Sequence, residues 1–313
     1  MIAATTTPAI AGNTSGARAR QNKAKPKREW AGWMFVGPFM VVFVAMIGAP
    51  VIYAIYLSLF KEQMIGGNQF VGFENYLTLF GDAQFWDGFW RVVRIFLLQV
   101  PIMLGLALVA ALAIDSNRLR GRSSFRILLF LPYAVPGVVA VLIWGFIYGD
   151  QFGLTASFND FVGSHVLAPL SNSWMTWSIG NILTWSFMGY NMLIMYSGLK
   201  TIPTELYEAA EIDGASRLQE AWHIKIPAIK GQILISFMFS IIGTFQLFNE
   251  PNLLKPLASN VITSYYTPNL YAYNLSMNGN QYNYSATVAI VMGVITGIIA
   301  YSTQARSQKS EGN

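Results

Sequence analysis

Long runs without Asp, Glu, Lys or Arg dominate the pattern of this chain. Six such intervals occur, at 31–60, 95–114, 127–149, 161–199, 231–249 and 256–305. A helix rises about 1.5 Å per residue, so about 20 mostly apolar residues cross a hydrocarbon core. The fourth and sixth intervals exceed one crossing, and each begins with a stretch rich in Asn, Ser, Tyr, Pro and Gly that suits a loop. Their helices are expected near 177–199 and 286–302. Alternation at period two is weak throughout, which argues against a membrane barrel and leaves helices as the spanning solution. The predicted fold is all-α: a polytopic membrane protein with six transmembrane helices, near 31–60, 95–114, 127–149, 177–199, 231–249 and 286–302.

Charge orients those spans. With both termini in the cytoplasm, cytoplasmic segments hold sixteen Lys and Arg: six in the N-terminal tail, four in 115–126, four in 200–230 and two in the C-terminal tail. External segments hold four, three of them in the loop 61–94 and one in 250–285. That asymmetry is the positive-inside pattern, and it would invert if one early span were miscounted. Composition agrees, with 54% hydrophobic and 11% charged residues against roughly 25% charged in soluble domains. The formal charge of +5 comes from short blocks beside apolar runs, so topology accounts for it and nucleic acid is not implied. The tail 1–29 is expected to be a disordered basic cytoplasmic segment, and the first span is expected to stay uncleaved.

The loop 200–230 carries the most specific pattern. Thr201 or Thr204 can cap a helix, Pro203 suits its first turn, and Glu205 and Glu208 suit the positive end of its dipole. That helix is expected to carry Ala209, Ala210, Gly214 and Ala215 as a strip of small side chains open to a partner. A second amphipathic stretch runs through Ala221 and Trp222, and Pro227 is expected to open the fifth span.

Glu208-Ala209-Ala210, three residues, Gly214, nine residues and then Ile224-x-Ile226-Pro227 resembles the EAA loop of binding-protein-dependent ABC permeases, with Ile226 replacing the usual Leu. The resemblance spans about residues 30–305, where 90–305 would form the permease core. Val71-Gly-Phe-Glu-Asn-Tyr76, Arg126-x-x-x-x-Leu131-Pro132-x-x-x-Pro136 with Trp144, and Asn249-Glu-Pro-Asn252 are similar to segments of the sugar branch, which includes maltose and lactose permeases. Arg91 and Arg94 depart from the family pattern. The resemblance implies a type I ABC importer permease fold in the cytoplasmic membrane of a bacterium or archaeon. It also implies that Glu208, Ala209, Ala210, Asp213, Gly214, Ala215, Ile224 and Pro227 form a coupling element docking on an ATPase. Implied partners are a second homologous permease, an ABC ATPase dimer and an extracytoplasmic solute-binding protein. Sugar or oligosaccharide is the implied cargo, with glycerol phosphate or another polyol as the alternative and an ATPase-independent carrier or channel as a rival.

The chain has no Gly-x-x-x-x-Gly-Lys-Ser/Thr phosphate loop, so ATP is expected to be used by a separate subunit, with no cofactor bound here. It has no cysteine and two histidines, His165 and His223, both expected in loops and neither in a catalytic or metal-binding pattern. All six runs lack Asp, Glu, Lys and Arg, which weighs against proton-coupled transport and voltage sensing. Uncharged polar residues do lie at depth: Gln99, Asn181, Tyr190, Asn191, Gln246 and Asn249. Tyr190, Asn191, Gln246 and Asn249 are the candidate substrate path, with Trp185 as an aromatic face; interhelical hydrogen bonding is the plainer account of any one of them. Trp30, Trp33, Trp144, Trp174 and Trp177 are expected in the aromatic belt.

Overall fold

The computed structural model describes residues 29–63, 67–116 and 119–311; the expected disordered tail lies outside them except for its last residue. Residues 1–50 and 51–313 form two units. The described part of the first holds α1 (Glu29–Phe43), one π-helical turn (Val44–Gly48) and the start of α2 (Ala49–Ser58). Together α1, the π turn and α2 include a candidate span, Gly32–Ser58.

In the second unit a two-stranded hairpin, β1 (Phe60–Gln63) and β2 (Gly67–Phe70), leads into α3 (Glu74–Phe80). The Val71–Tyr76 motif has a local task here. Asn75 is buried and donates to the Ser58 and Phe60 carbonyls at 2.9 and 2.8 Å, while the Tyr76 and Ser58 hydroxyls lie 2.7 Å apart. These contacts satisfy backbone acceptors where α2 ends.

Then come α4 (Ala83–Asp115), α5 (Arg122–Ala134), α6 (Gly137–Tyr148), α7 (Leu154–Val162) and α8 (Met175–Leu199). The loop elements are α9 (Thr204–Ile212), α10 (Arg217–Glu220), a π turn (Ala221–Lys225) and α11 (Ile226–Ala228). The chain finishes with α12 (Lys230–Phe245), α13 (Asn249–Leu254), α14 (Pro268–Met277) and α15 (Tyr282–Glu311).

Among the described residues, three helices are long and apolar enough to cross a membrane, and up to five spans result if each bent helix pair is one. On α4 the stripe Val92, Ile95, Gln99, Met103, Ala107, Ala111 and Ile114 is buried, while Leu97, Leu106 and Val109 on the opposite side are exposed. Apolar residues on both faces suit a lipid surround better than water. With no hydrophobic drive between helices in lipid, close packing of small residues matters. Gly189 of α8 illustrates this: a Cβ there would collide with the Leu129 carbonyl of α5. Ala107 and Ala111 meet Met192, Met195 and Leu199 of α8 in one core cluster.

Five boundaries differ from expectation. Helix α4 starts at Ala83 rather than near 95 because its charged end remains helical: Arg91 pairs with Asp87 at 2.6 Å and donates to the Tyr266 carbonyl at 2.9 Å. The third expected span is broken between α5 and α6 by a 96° bend. Val135 (φ −74°, ψ 128°) is held extended ahead of Pro136, as proline demands of its predecessor. Helix α12 ends at Phe245, before Gln246 and Asn249. Helix α15 starts four residues early and continues to Glu311. Pro227 falls within α11 and α12 begins at Lys230, the two segments meeting at 66°.

The aromatic expectations also need correction. Trp144 lies one turn before the end of α6, but its indole packs inside the protein: it is edge-on to Trp185 at 5.9 Å, beside Tyr148, and its N–H is buried without a partner. Asn181 donates to the Tyr148 hydroxyl at 2.8 Å.

Candidate functional site

Two sites stand out, a cavity among the helices and the loop between α8 and α12. The cavity has a volume of about 330 Å³ and is lined by all four candidate path residues, Tyr190, Asn191, Gln246 and Asn249. The early end of α12 makes this possible. Beyond Phe245 the backbone leaves helical geometry, with Gln246 at φ −92°, ψ 9° and Phe248 at φ −143°, ψ −51°, and α13 restarts at Asn249. Irregular backbone is tolerated at membrane depth where it lines a cavity. Gln246 and Asn249 are exposed, as cavity walls are, whereas Asn191 is buried.

Asn191 donates to the Phe187 carbonyl at 3.0 Å, yet its side-chain oxygen is buried with no hydrogen-bond partner. A buried unsatisfied acceptor is costly, so one beside a cavity marks a place where a hydroxyl could bind. Tyr190 stacks on Tyr133 at 4.7 Å and 15°. Gln99, Ser240 and Thr244 add further polar groups, and Phe187, Phe239 and Phe248 add ring faces. Trp185 is not among the lining residues; the aromatic surface comes from Tyr133 and the three phenylalanines instead.

One lining residue escaped the reading of the sequence. Glu250 lines the cavity, and the charge-free criterion stopped one position before it. The signal was present in Asn249-Glu-Pro-Asn252. Among the described residues, no Lys, Arg or His lines the cavity.

At the other site, α9 starts after Pro203 with no side-chain cap. Thr201 instead donates to the Gly198 carbonyl at 2.8 Å, closing α8. Gly214 does not lie on the helix. It follows the C-cap Asp213 at φ +74°, with Gly214 N–H donating to the Glu211 carbonyl at 3.1 Å and Ala215 N–H to the Ala210 carbonyl at 2.9 Å. That pair is a Schellman stop, which needs the left-handed conformation glycine supplies. Its glycine is explained by backbone geometry within this chain, since a Cβ would meet nothing within 4 Å. Glu208 and Ala209 are exposed, Ala210 and Ile224 half-buried, and Asp213, Ala215 and Pro227 exposed. Apolar side chains stand out beside them: Ile212 is 86% exposed, Leu218 69% and Trp222 62%.

Ser216 caps α10 through a reciprocal capping box with Gln219. Behind the loop, Asp115 at the end of α4 accepts from Lys200 and Lys225, each at 2.8 Å, and Lys225 also reaches Glu220 at 3.0 Å. The hydrogen bond to Asp115 holds the Lys200 ammonium above its usual range. His223 lies in the π turn with Nδ1 3.0 Å from the Gln219 carbonyl, and His165 lies in the loop before α8.

Comparison with known proteins converges on one assignment. The family described as "Binding-protein-dependent transport system inner membrane component" matches residues 84–310. The lactose transport system permease LacF of Rhizobium radiobacter is 29% identical over 86% of this chain and 91% of its own. The arabinooligosaccharides permease AraP of Bacillus subtilis is 26% identical over 86% of each. The sulfoquinovosyl glycerol permease SmoG of Agrobacterium fabrum is 28% identical over 84% of this chain and 89% of its own. Among solved structures, a chain of a bacterial ABC transporter that imports the acidic polysaccharide alginate superposes with a TM-score of 0.78 at 20% identity, covering 90% of this chain and 96% of that one. That likeness concerns the fold.

Proposed function

This chain belongs to the family of binding-protein-dependent transport system inner membrane components, and on that premise we propose that it is the six-span permease of an ATP-driven importer for a neutral sugar or oligosaccharide. Family membership makes it a multi-pass inner-membrane permease of an ABC importer that works with a periplasmic binding protein. The family binds no cofactor, and ATP is hydrolysed by a separate subunit. The finer reading adds six spans, cytoplasmic termini, a second homologous permease, an ATPase dimer and the sugar cargo.

The observation that carries the cargo is the cavity. Amide, hydroxyl and aromatic groups converge there, and hydroxyl-rich rings need donors and acceptors at their edges and apolar faces above them. The absence of a cation from its lining disfavours glycerol phosphate, whose charge would be left without a partner. The relatives described as carrying lactose and arabinooligosaccharides support the same direction.

Helix α8 is the sixth span in this reading, added to the three continuous spans and two bent ones. At 25 residues it is long enough, and several of its polar residues are placed inside the protein, with Ser178 and Asn191 buried and Tyr190 at the cavity wall, as membrane helices place groups that hydrogen-bond between helices. Ile212, Leu218 and Trp222 form the apolar part of the surface that docks on the ATPase, around Glu208, Ala209, Ala210, Asp213, Gly214, Ala215, Ile224 and Pro227. ATPase closure would shift this loop and, with it, the balance between two arrangements of the bundle.

The test is purification of the complex in mild detergent followed by proteoliposome uptake. The expected result is recovery of an ATPase, a second permease and a binding protein, with ATP-dependent accumulation of a neutral di- or oligosaccharide. Flux by this chain alone would overturn the importer reading, and ATP-driven uptake restricted to anionic cargo would overturn the sugar assignment.

A further inference from the structure

The coupling loop needs a rigid path into the bundle, and the ion cluster behind it has the geometry of one. Five charged side chains from three parts of the chain meet there. Asp115 ends α4, Lys200 follows α8, and Arg217, Glu220 and Lys225 belong to the loop. Asp115, Glu220 and Lys225 are only 7%, 9% and 12% exposed at their side chains, whereas Lys200 and Arg217 are 50% and 65% exposed. Lys225 therefore bridges two nearly buried carboxylates, Asp115 at 2.8 Å and Glu220 at 3.0 Å. Its ammonium also stands 5.1 Å from the Tyr207 ring of α9.

We infer that Lys225 is the positioning residue that locks the coupling loop to α4, so that the loop, α4 and α8 move as one body when the ATPase moves. This rests on the coupling role proposed above. The physical reason lies in how buried ion pairs behave. They add little net stability, but removing one partner strands the other charge, so the joined elements resist sliding apart. Lys225 is the only one of the five to touch both a bundle carboxylate and a loop carboxylate. Motion handed to α4 reaches α8 through the Ala107, Ala111, Met192 and Met195 packing. These two helices carry Gln99, Tyr190 and Asn191 to the cavity wall. Lys200 sits on the solvent side of the same carboxylate, where an exposed pair contributes little.

The experiment uses the whole transporter in proteoliposomes. The chain has no cysteine, so Gln246→Cys places a unique thiol of this subunit in the cavity. Its rate of reaction with N-ethylmaleimide is measured on this subunit's band, with and without ATP and vanadate. The change in rate on vanadate trapping should fall about tenfold or more in Lys225→Met, persist in Lys225→Arg, and persist in Lys200→Met, with ATPase still co-purifying in each. Asp115→Asn, an isosteric change that keeps both lysines, should also lose the response and decides the matter if Lys225→Met does not assemble. An unaltered response in Lys225→Met or Asp115→Asn would overturn the inference, as would equal losses in Lys200→Met and Lys225→Met. Failure of the unmutated chain to bind any ATPase would strike the coupling role itself, a separate result.

Discussion

Replacing Gly214 by alanine should weaken docking on the ATPase through the backbone alone. Gly214 holds φ +74°, and a Cβ there meets no atom of this chain within 4 Å, so no side-chain clash within the subunit obstructs the change. The cost is that of the left-handed conformation, about 1–2 kcal/mol for an ordinary L-residue. A free loop can shed this strain by fraying the last turn of α9 and releasing the Ala215 to Ala210 hydrogen bond. A docked loop has to restore it. Since 1.4 kcal/mol is about tenfold in binding, the ATPase Kd should rise about 5- to 30-fold. Asparagine tolerates this conformation better, so Gly214→Asn should lose clearly less than Gly214→Ala. Gly214→Trp should block transport while leaving membrane insertion intact, because it adds bulk at the docking surface to the same strain. Titration of purified ATPase onto the permease in nanodiscs measures all three. Equal losses for Ala and Asn would show that contact space matters rather than φ, and an unchanged Kd for Ala would refute the reasoning.

Other consequences follow from the packing and the cavity. Gly189→Ala should lower the thermal stability of the detergent-solubilised protein by about 1–3 kcal/mol, the cost of forcing α5 and α8 apart at the Leu129 carbonyl; an unchanged melting temperature would count against that tight contact. Neutral oligosaccharides at millimolar concentration should protect a Gln246→Cys thiol from maleimide at least about tenfold better than the matching uronates, because no cation lines the cavity; equal protection would contradict the neutral-cargo reading. Asp82 accepts from the hydroxyls of Tyr271 and Tyr284, each at 2.8 Å, so Asp82→Ala should cost about 3–6 kcal/mol by removing two charge-assisted hydrogen bonds. Burial, and then the Asp82 carboxylate, hold the Tyr271 hydroxyl above its ordinary value of 10.0. The stability it contributes is complete below that value and is lost as pH rises from there through the folded-state value, so the gap between wild type and Asp82→Ala should narrow above pH 10 in melting experiments.

The readable parts of this protein were those governed by local rules. Helix α8 at Met175–Leu199 lies close to the expected 177–199, because its start follows a polar loop and Lys200 marks its end. The loop elements between α8 and α12 were legible from proline, small residues and spacing. The misreadings come from rules that tertiary contacts override. A charge-free interval begins at 95, yet α4 begins at Ala83, since Arg91 is held by the distant Tyr266 carbonyl as well as by Asp87 on its own helix. The 96° break at Pro136 was visible as a proline but not as a right angle, which depends on where α6 packs. Gly214 looks like part of a small-residue surface in the sequence, whereas its φ of +74° makes it a helix stop. Glu250 lines the cavity with Gln246 and Asn249, but a charge-free criterion ends one position before it. The convergence of Tyr190, Asn191, Gln246 and Asn249 on one cavity could not be derived from spacing, because it requires α12 to stop short.

The account depends on the loop around α9 facing the cytosol and resting on a nucleotide-driven partner. Ile212 is 86% exposed in the isolated chain, so Ile212→Cys offers a single thiol of this subunit for a membrane-impermeant maleimide. Labelling should occur in inverted vesicles stripped of ATPase, fall sharply when purified ATPase is added back, and be absent from intact cells. Labelling from the cell exterior, or full reactivity with the ATPase bound, would contradict the account.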